Sequence, residues 1–186
     1  LNKTTVVLSN GLELKKNDVI DPYSYNETLQ EKMIRKAITN HFEMEKDLMT
    51  RPSARIKPLS LFFIDNIESY RGKEGEKGTL ALFVEAEIKQ HVTQLLTTEK
   101  HEAYREYLEK TLKDVSQSHG GYFSQDNSEK DDKIEKEIEE ILHDKESLLS
   151  LDNPRRFIFS KWTLREGWDN PNVFQICKLR SSGGKT

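Results

Sequence analysis

The sequence predicts an α/β domain whose mostly parallel sheet is flanked by helices. One observation is LSLFFI at Leu59–Ile64, an unbroken apolar run of the kind a strand covered on both faces requires. A second is a pair of short apolar runs, Phe157–Phe159 and Val173–Ile176, on either side of a polar turn. The third is the spacing between these runs, where apolar residues recur at helical intervals, so that strands and helices alternate along the chain.

Taken in order, TTVVLSNGLEL brackets Asn10-Gly11, a strong two-residue turn signal, and predicts an antiparallel hairpin. Leu29, Met33, Ile34, Ala37, Ile38 and Phe42 then share a helical spacing, with Asn26 placed as the cap and Arg51-Pro52-Ser53 as the end. His41 on this helix reads as a packed or surface residue. A strand over 57–64 follows, ending at Asp65, the position where open α/β sheets hold ligands. Arg71–Gly78 reads as a polar loop, and 80–115 as two helices or one continuous helix, longer than a bare nucleotide-binding fold requires. Next come a strand over 118–124, a charged helix over 131–149 with Ile134, Ile138, Ile141 and Leu142 on one stripe, and strands over 156–160 and 173–179. Residues 1–55 thus form a hairpin and helix leading into a domain over 56–186, with a helical insertion around 80–116.

Composition sets the bounds. The chain has 186 residues, 34% hydrophobic and 33% charged, so one domain with a real core fits and much of the remainder is solvated. The net charge of −3 gives no global case for nucleic-acid binding, but Asp126–Glu146 is strongly acidic whereas Leu151–Thr186, which carries the polar turn, is basic. A single cysteine, Cys177, permits no internal disulfide and reads as a small buried hydrophobe. The histidines show no paired ligand spacing, so no metal site is expected. With neither a leader nor a membrane-length apolar run, a cytoplasmic protein without membrane contact is expected, and a first residue other than Met predicts a piece of something longer.

The turn carries the chemistry. Gly167 permits close approach to a ligand, Pro171 stops a helix, and Asp169 between them can accept a hydrogen bond or face a metal-bound phosphate. Ser160 offers a hydroxyl of the type that holds a nucleic-acid phosphate without reading sequence. A strand, turn and strand in which Asp169 and Asn170 serve only as turn formers is the alternative reading.

The wider stretch REGWDNPNVFQIC resembles motif V of superfamily-two helicases, in the form carried by the Res subunits of type III restriction enzymes. The resemblance extends through HDKESLLSLDNPRRFIFS, SHGGYFSQD and PLSLFFIDNIESYR, in the family's order. It implies a second RecA-like motor domain with a P-loop NTPase-like fold, stopping before motif VI. It also implies an ATP-dependent translocase on double-stranded DNA, serving an endonuclease that works with a methyltransferase (Mod) subunit. ATP and Mg would be held mainly by a first motor domain that these residues do not include. By motif position Glu166, Gly167 and Asp169 would approach the nucleotide. Ser160, with Thr163, His119 and Gly120, would contact DNA, and Tyr122 or Phe123 would offer a stacking face. Ser69, Tyr70 and Arg71, in the motif IV region, are further contact candidates beside an ordinary strand exit. Trp168 is expected to pack beneath the loop.

Two motif fragments fail on context. Asp65 with Glu87-Ile88-Lys89 mimics a magnesium-nuclease signature, but Glu87 and Lys89 fall at helical spacing where a strand is needed. Gly183-Gly184-Lys185-Thr186 lacks the earlier glycine of a phosphate loop, since Leu179 stands there. No catalytic set is complete within the sequence, so the segment alone is expected to be inactive. Two rivals stay open: the motor of a helicase without a nuclease, and a degenerate scaffold that docks a methyltransferase.

Overall fold

The computed structural model describes residues 5–7, 13–15, 22–73, 76–123, 132–161 and 170–179. Strands β1 (Thr5–Val7) and β2 (Glu13–Lys15) pair antiparallel, as the Asn10-Gly11 signal predicts, although the turn itself lies outside the described residues. Helix α1 runs from Pro22 to Met49. It therefore starts before Asn26, which is an interior residue and not the cap; Pro22, with its fixed φ and missing N–H, suits a first helical position better.

The main sheet consists of β3 (Leu59–Ile64), β4 (His119–Tyr122), β5 (Phe157–Ser160) and β6 (Val173–Leu179). Its order is β4-β5-β3-β6, and every pairing is parallel. Between β3 and β4 come α2 (Ile67–Arg71), α3 (Thr79–Thr98) and α4 (Glu102–Lys113). The 80–115 region is thus two helices. They part where the Glu99 carboxylate accepts the N–H groups of Lys100 and His101, and the His101 ring caps α4 by accepting the Tyr104 N–H. Between β4 and β5 lie α5 (Asp132–Leu142) and α6 (Lys145–Leu149), separated where the Asp144 side chain caps α6.

Alternation along the strands gives the sheet two covered faces. Phe62 and Ile64 of β3 and Phe157 and Phe159 of β5 enter the larger core, together with Ile34 and Ile38 of α1, Val84 and Ile88 of α3, and Tyr104 and Leu108 of α4. Leu59 and Leu61 of β3 and Ile158 of β5 enter the smaller one with Ile141 of α5 and Leu148 of α6. The apolar stripe of α5 therefore covers the sheet. Tyr70, Tyr122 and Phe123 are buried, and Tyr70 stacks on Phe159 with ring centroids 4.7 Å apart. Their rings are packing groups in this arrangement, and burial keeps Tyr122 and Phe123 from the stacking role that the sequence suggests.

Candidate nucleotide and nucleic-acid loop

Parallel strands deliver their C-terminal ends to one edge, so the register says which residues meet there. Ser160 lies opposite Phe63 of β3 on one side and Tyr122 of β4 on the other, with Asp65 two residues beyond Phe63. Ser160 is fully buried, and its hydroxyl has no hydrogen-bond partner among the described residues. Buried hydroxyls are ordinarily satisfied, which makes this one available to a partner from the loop or a ligand.

Lys161 then leads away, exposed. Thr163, Glu166, Gly167, Trp168 and Asp169 lie outside the described residues, which resume at Asn170. The returning end is fixed at the opposite edge of the sheet. Asn172 accepts the Leu59 N–H through its carbonyl and donates its side-chain amide to the Lys57 carbonyl, while the Asn170 side chain accepts the Asn172 N–H. Asn170 is itself buried, with its amide nitrogen unpartnered among the described residues. Ser160 thus stands at the C-terminal edge of the sheet, and Asn172 at the N-terminal edge beside Leu59.

His119 and Gly120 are not brought to Ser160. They open β4, opposite Phe157 and Ile158, so His119 stands three residues below Ser160, about 10 Å along a strand. Both ring nitrogens of His119 are occupied, Nδ1 by the Tyr70 hydroxyl at 2.7 Å and Nε2 by Glu85 at 2.9 Å. That His119 bond, with Lys77 and against the opposing effect of burial, holds the Glu85 carboxyl below the usual carboxylate range. Gly120 faces the Arg155 side chain, which a Cβ would meet at 2.8 Å. Of the motif IV candidates, Tyr70 is buried and Arg71 pairs with Glu137.

At the foot of the sheet lies a buried polar chain that the sequence does not reveal. The Gln175 amide of β6 donates to Ser60 Oγ, and Ser60 shares a 2.7 Å hydrogen bond with His41 Nδ1. His41 Nε2 reaches Glu45 at 3.2 Å, and Glu45 also takes the Arg156 guanidinium at 2.8 Å and the Tyr104 hydroxyl at 3.0 Å. Burial works against the Glu45 charge, yet Arg156, His41 and Tyr104 hold its carboxyl below the ordinary range. Burial also lowers the His41 imidazole despite Glu45, so it is neutral, donating from Nε2 and accepting the Ser60 proton at Nδ1. Arg156 completes its coordination over the Tyr107 ring, 4.2 Å from the centroid. Beside this chain Lys57 donates to the carbonyls of Leu148, Ser150 and Asn153 at 2.6, 3.1 and 2.6 Å.

Glu87 and Lys89 lie on α3, and Glu87 is bound by Arg35, which removes the strand that a nuclease signature needs. Cys177 is half-buried beside the larger core, and burial pushes its thiol up. Among the described residues no group of His, Cys, Asp and Glu can hold a metal ion, and no helix is long and apolar enough to cross a membrane.

An all-parallel sheet, four-stranded among the described residues and flanked by helices, fits a RecA-like α/β domain. No family model matches the chain. Its whole length is 66% identical to part of the Res subunit of the type III restriction-modification enzyme EcoPI from Escherichia phage P1, and 64% identical to part of the EcoP15I Res subunit from Escherichia coli. The StyLTI Res subunit of Salmonella typhimurium is 42% identical over 97% of the chain. The chain belongs to the Res-subunit family of type III restriction-modification enzymes, and it spans 19% of the length of the first two relatives.

Proposed function

We propose that this chain is the second motor domain of an ATP-dependent DNA translocase within a type III restriction endonuclease. The observation that carries this reading is the 64–66% identity over the entire chain to Res subunits. The position of Ser160 at the C-terminal end of the central strand β5 supports it, since open α/β sheets bind ligands beyond the carboxyl ends of their strands.

In this reading Glu166, Gly167 and Asp169 face the nucleotide, with Asp169 bonding the ribose or sensing the terminal phosphate. Ser160 and Thr163 hold the DNA backbone, with Ser160 supplying the buried hydroxyl that lacks a partner among the described residues. His119 and Gly120 serve the DNA side at the foot of β4, where the ring bonds of His119 to Tyr70 and Glu85 fix that strand. One loop touching both ligands couples hydrolysis to movement, because phosphoryl transfer depends on positioning and charge stabilisation. ATP with Mg supplies the phosphoryl chemistry when bound. In this reading ATP and Mg are held mainly by the first motor domain. The partners are double-stranded DNA and a methyltransferase subunit. The isolated segment neither hydrolyses ATP nor cuts DNA, because it carries only one side of each site.

The test is DNA-stimulated ATP hydrolysis by the full-length protein. Asp169→Ala is expected to lower turnover by roughly a hundredfold, the scale of a misplaced reacting group. Ser160→Ala is expected to weaken the stimulation by DNA. Unchanged rates in both variants would reduce the loop to a turn and remove the motor reading.

A further inference from the structure

We infer that the outer face of α3 docks an acidic, partly apolar segment of a second subunit, the methyltransferase of the proposed function. The face stands out by its lack of charge. On the neighbouring α4 the exposed residues are Glu102, Arg105, Glu106, Glu109 and Lys113, all charged, as a solvated helix face ordinarily is. The exposed residues of α3 include a single charge, Lys89. Leu82, Ala86, Gln90, Thr93 and Thr97 recur at helical spacing beside it and form a neutral stripe along the helix. Leu82 is 51% exposed at one end of that stripe. A helix side that meets only water has no need to exclude charge, whereas depletion of charge around an apolar contact is the composition of an interface core.

The surroundings say what docks there. At the Leu82 end the stripe borders a hollow of about 490 Å³, lined by the apolar Leu82, Ala86 and Val115 and by Lys77, Lys89 and Lys113. Its two carboxylates are already engaged. Glu85 accepts from Lys77 at 2.6 Å and from His119 at 2.9 Å, and Asp114 accepts from Ser116 and Gln117. Lys89 and Lys113 are exposed and pair with no carboxylate among the described residues. A segment that fills the hollow therefore brings carboxylates to Lys89 and Lys113 and an apolar side chain to Leu82. A phosphate backbone would use the lysines and leave Leu82 in water. The source follows from the polarity of the stripe. Gln90, Thr93 and Thr97 tolerate water, so the face is compatible with an undocked state, as a partner made as a separate chain requires, whereas permanently buried faces are more hydrophobic. The relatives carry the name Res subunit of a restriction-modification enzyme, and this inference rests on the proposed assembly with a methyltransferase subunit.

The experiment is calorimetric binding of the full-length protein to its methyltransferase subunit over a salt series, with carbodiimide cross-linking of the complex. Leu82→Glu, and Lys89→Glu combined with Lys113→Glu, are each expected to weaken binding roughly tenfold or more, and the double charge reversal to flatten its salt dependence. Cross-links are expected from Lys89 or Lys113 of the wild type to carboxylates of the methyltransferase subunit. The three positions are exposed, so the variants should unfold in urea at the wild-type midpoint, and the cross-links test the face without any substitution. Wild-type affinity in both variants would overturn the inference, as would cross-links confined to the protein's own polypeptide. A double reversal that weakens DNA binding alone would overturn it too, by assigning the lysines to phosphates. A wild-type protein that bound no methyltransferase subunit would remove the assembly and this inference with it. Absence of ATP turnover in a protein that still docks through α3 would leave the inference standing while the motor reading failed.

Discussion

β4 and β6 are the outer strands of the same sheet, and among the described residues each has one row of backbone groups without a strand neighbour. On β4 that row is closed by side chains. The Glu137 carboxylate of α5 accepts the Gly121 N–H, Arg71 of α2 donates to the Gly121 carbonyl at 2.8 Å, and Arg71 and Glu137 bond each other at 3.1 Å. Gly121 is required there because a Cβ would meet Phe123 at 2.6 Å and Tyr70 at 2.8 Å. The clamp satisfies the N–H and the carbonyl of Gly121. β6 has no such clamp among the described residues and presents Phe174 and Ile176 instead. The two outer strands of one sheet are thus closed in different ways.

Strong coupling through the centre would weaken this contrast, and the buried chain at the foot of the sheet tests that. It reaches from Gln175 on β6 to Arg156, whose N–H bonds the Ser118 carbonyl just before β4. Arg156→Met would leave Glu45 charged and without its main partner in a fully buried site. The expected loss is about 3–5 kcal/mol, a large fraction of a typical domain's total. Urea unfolding measures it, and a loss under about 1 kcal/mol would show that Glu45 gives up its charge instead. Glu45→Leu combined with Arg156→Met should recover most of the loss, since apolar replacements of a buried pair are often neutral. If hydrogen exchange in the single variant rises equally on β4 and β6, the two edges belong to one cooperative unit despite their different closures.

Much of this architecture was legible in the sequence because it rests on local pattern. LSLFFI, FIF and VFQI became strands, the parallel sheet followed from their alternation with helices, and REGWDNPNVFQIC gave the family. The buried charges were not legible, for a physical reason. Lys57 and Arg156 each stand just before a strand, where a charge normally reaches water, and only tertiary neighbours from α1, α4 and α6 turn them inward. His119 and Tyr122 were legible as a glycine-flanked strand, but periodicity says nothing about whether the opposite helices seal it. The candidate loop itself was read from residue types alone, and of its predicted site residues the structure describes Ser160 and, on β4, His119 and Gly120.

A second prediction targets the clamp. Glu137→Ala removes the acceptor of the Gly121 N–H and the ion partner of Arg71 at a partly buried position. The expected cost is about 1–3 kcal/mol, with Gly121 exchange roughly ten- to a hundredfold faster. Faster exchange confined to β4 sharpens the contrast between the edges, whereas an unchanged Gly121 amide would mean the clamp is incidental.

The smallest effect concerns the foot of β3, where Lys57 also anchors the start of β6 through its carbonyl bond with Asn172. Burial, with the Arg156 guanidinium nearby, pushes the Lys57 ammonium down to about 7. An unfolded lysine titrates near 10.4, so between these values the unfolded chain binds a proton that the folded one does not. Stability therefore rises with pH across that window, by at most ~1.4 kcal/mol per pH unit, and the contribution is flat below pH ~7, where both states are protonated. Lys57→Met abolishes this slope while leaving three carbonyls without their donor, so it is less stable than the wild type and most so at alkaline pH. Urea unfolding at about pH 6, 7.5 and 9 distinguishes the two profiles, and parallel curves would show that Lys57 titrates as an ordinary lysine. Glu137→Ala should keep the wild-type slope, because the clamp on β4 has no part in the lysine's surroundings. Loss of the slope in that variant would join the two edges electrostatically and undo the distinction between them.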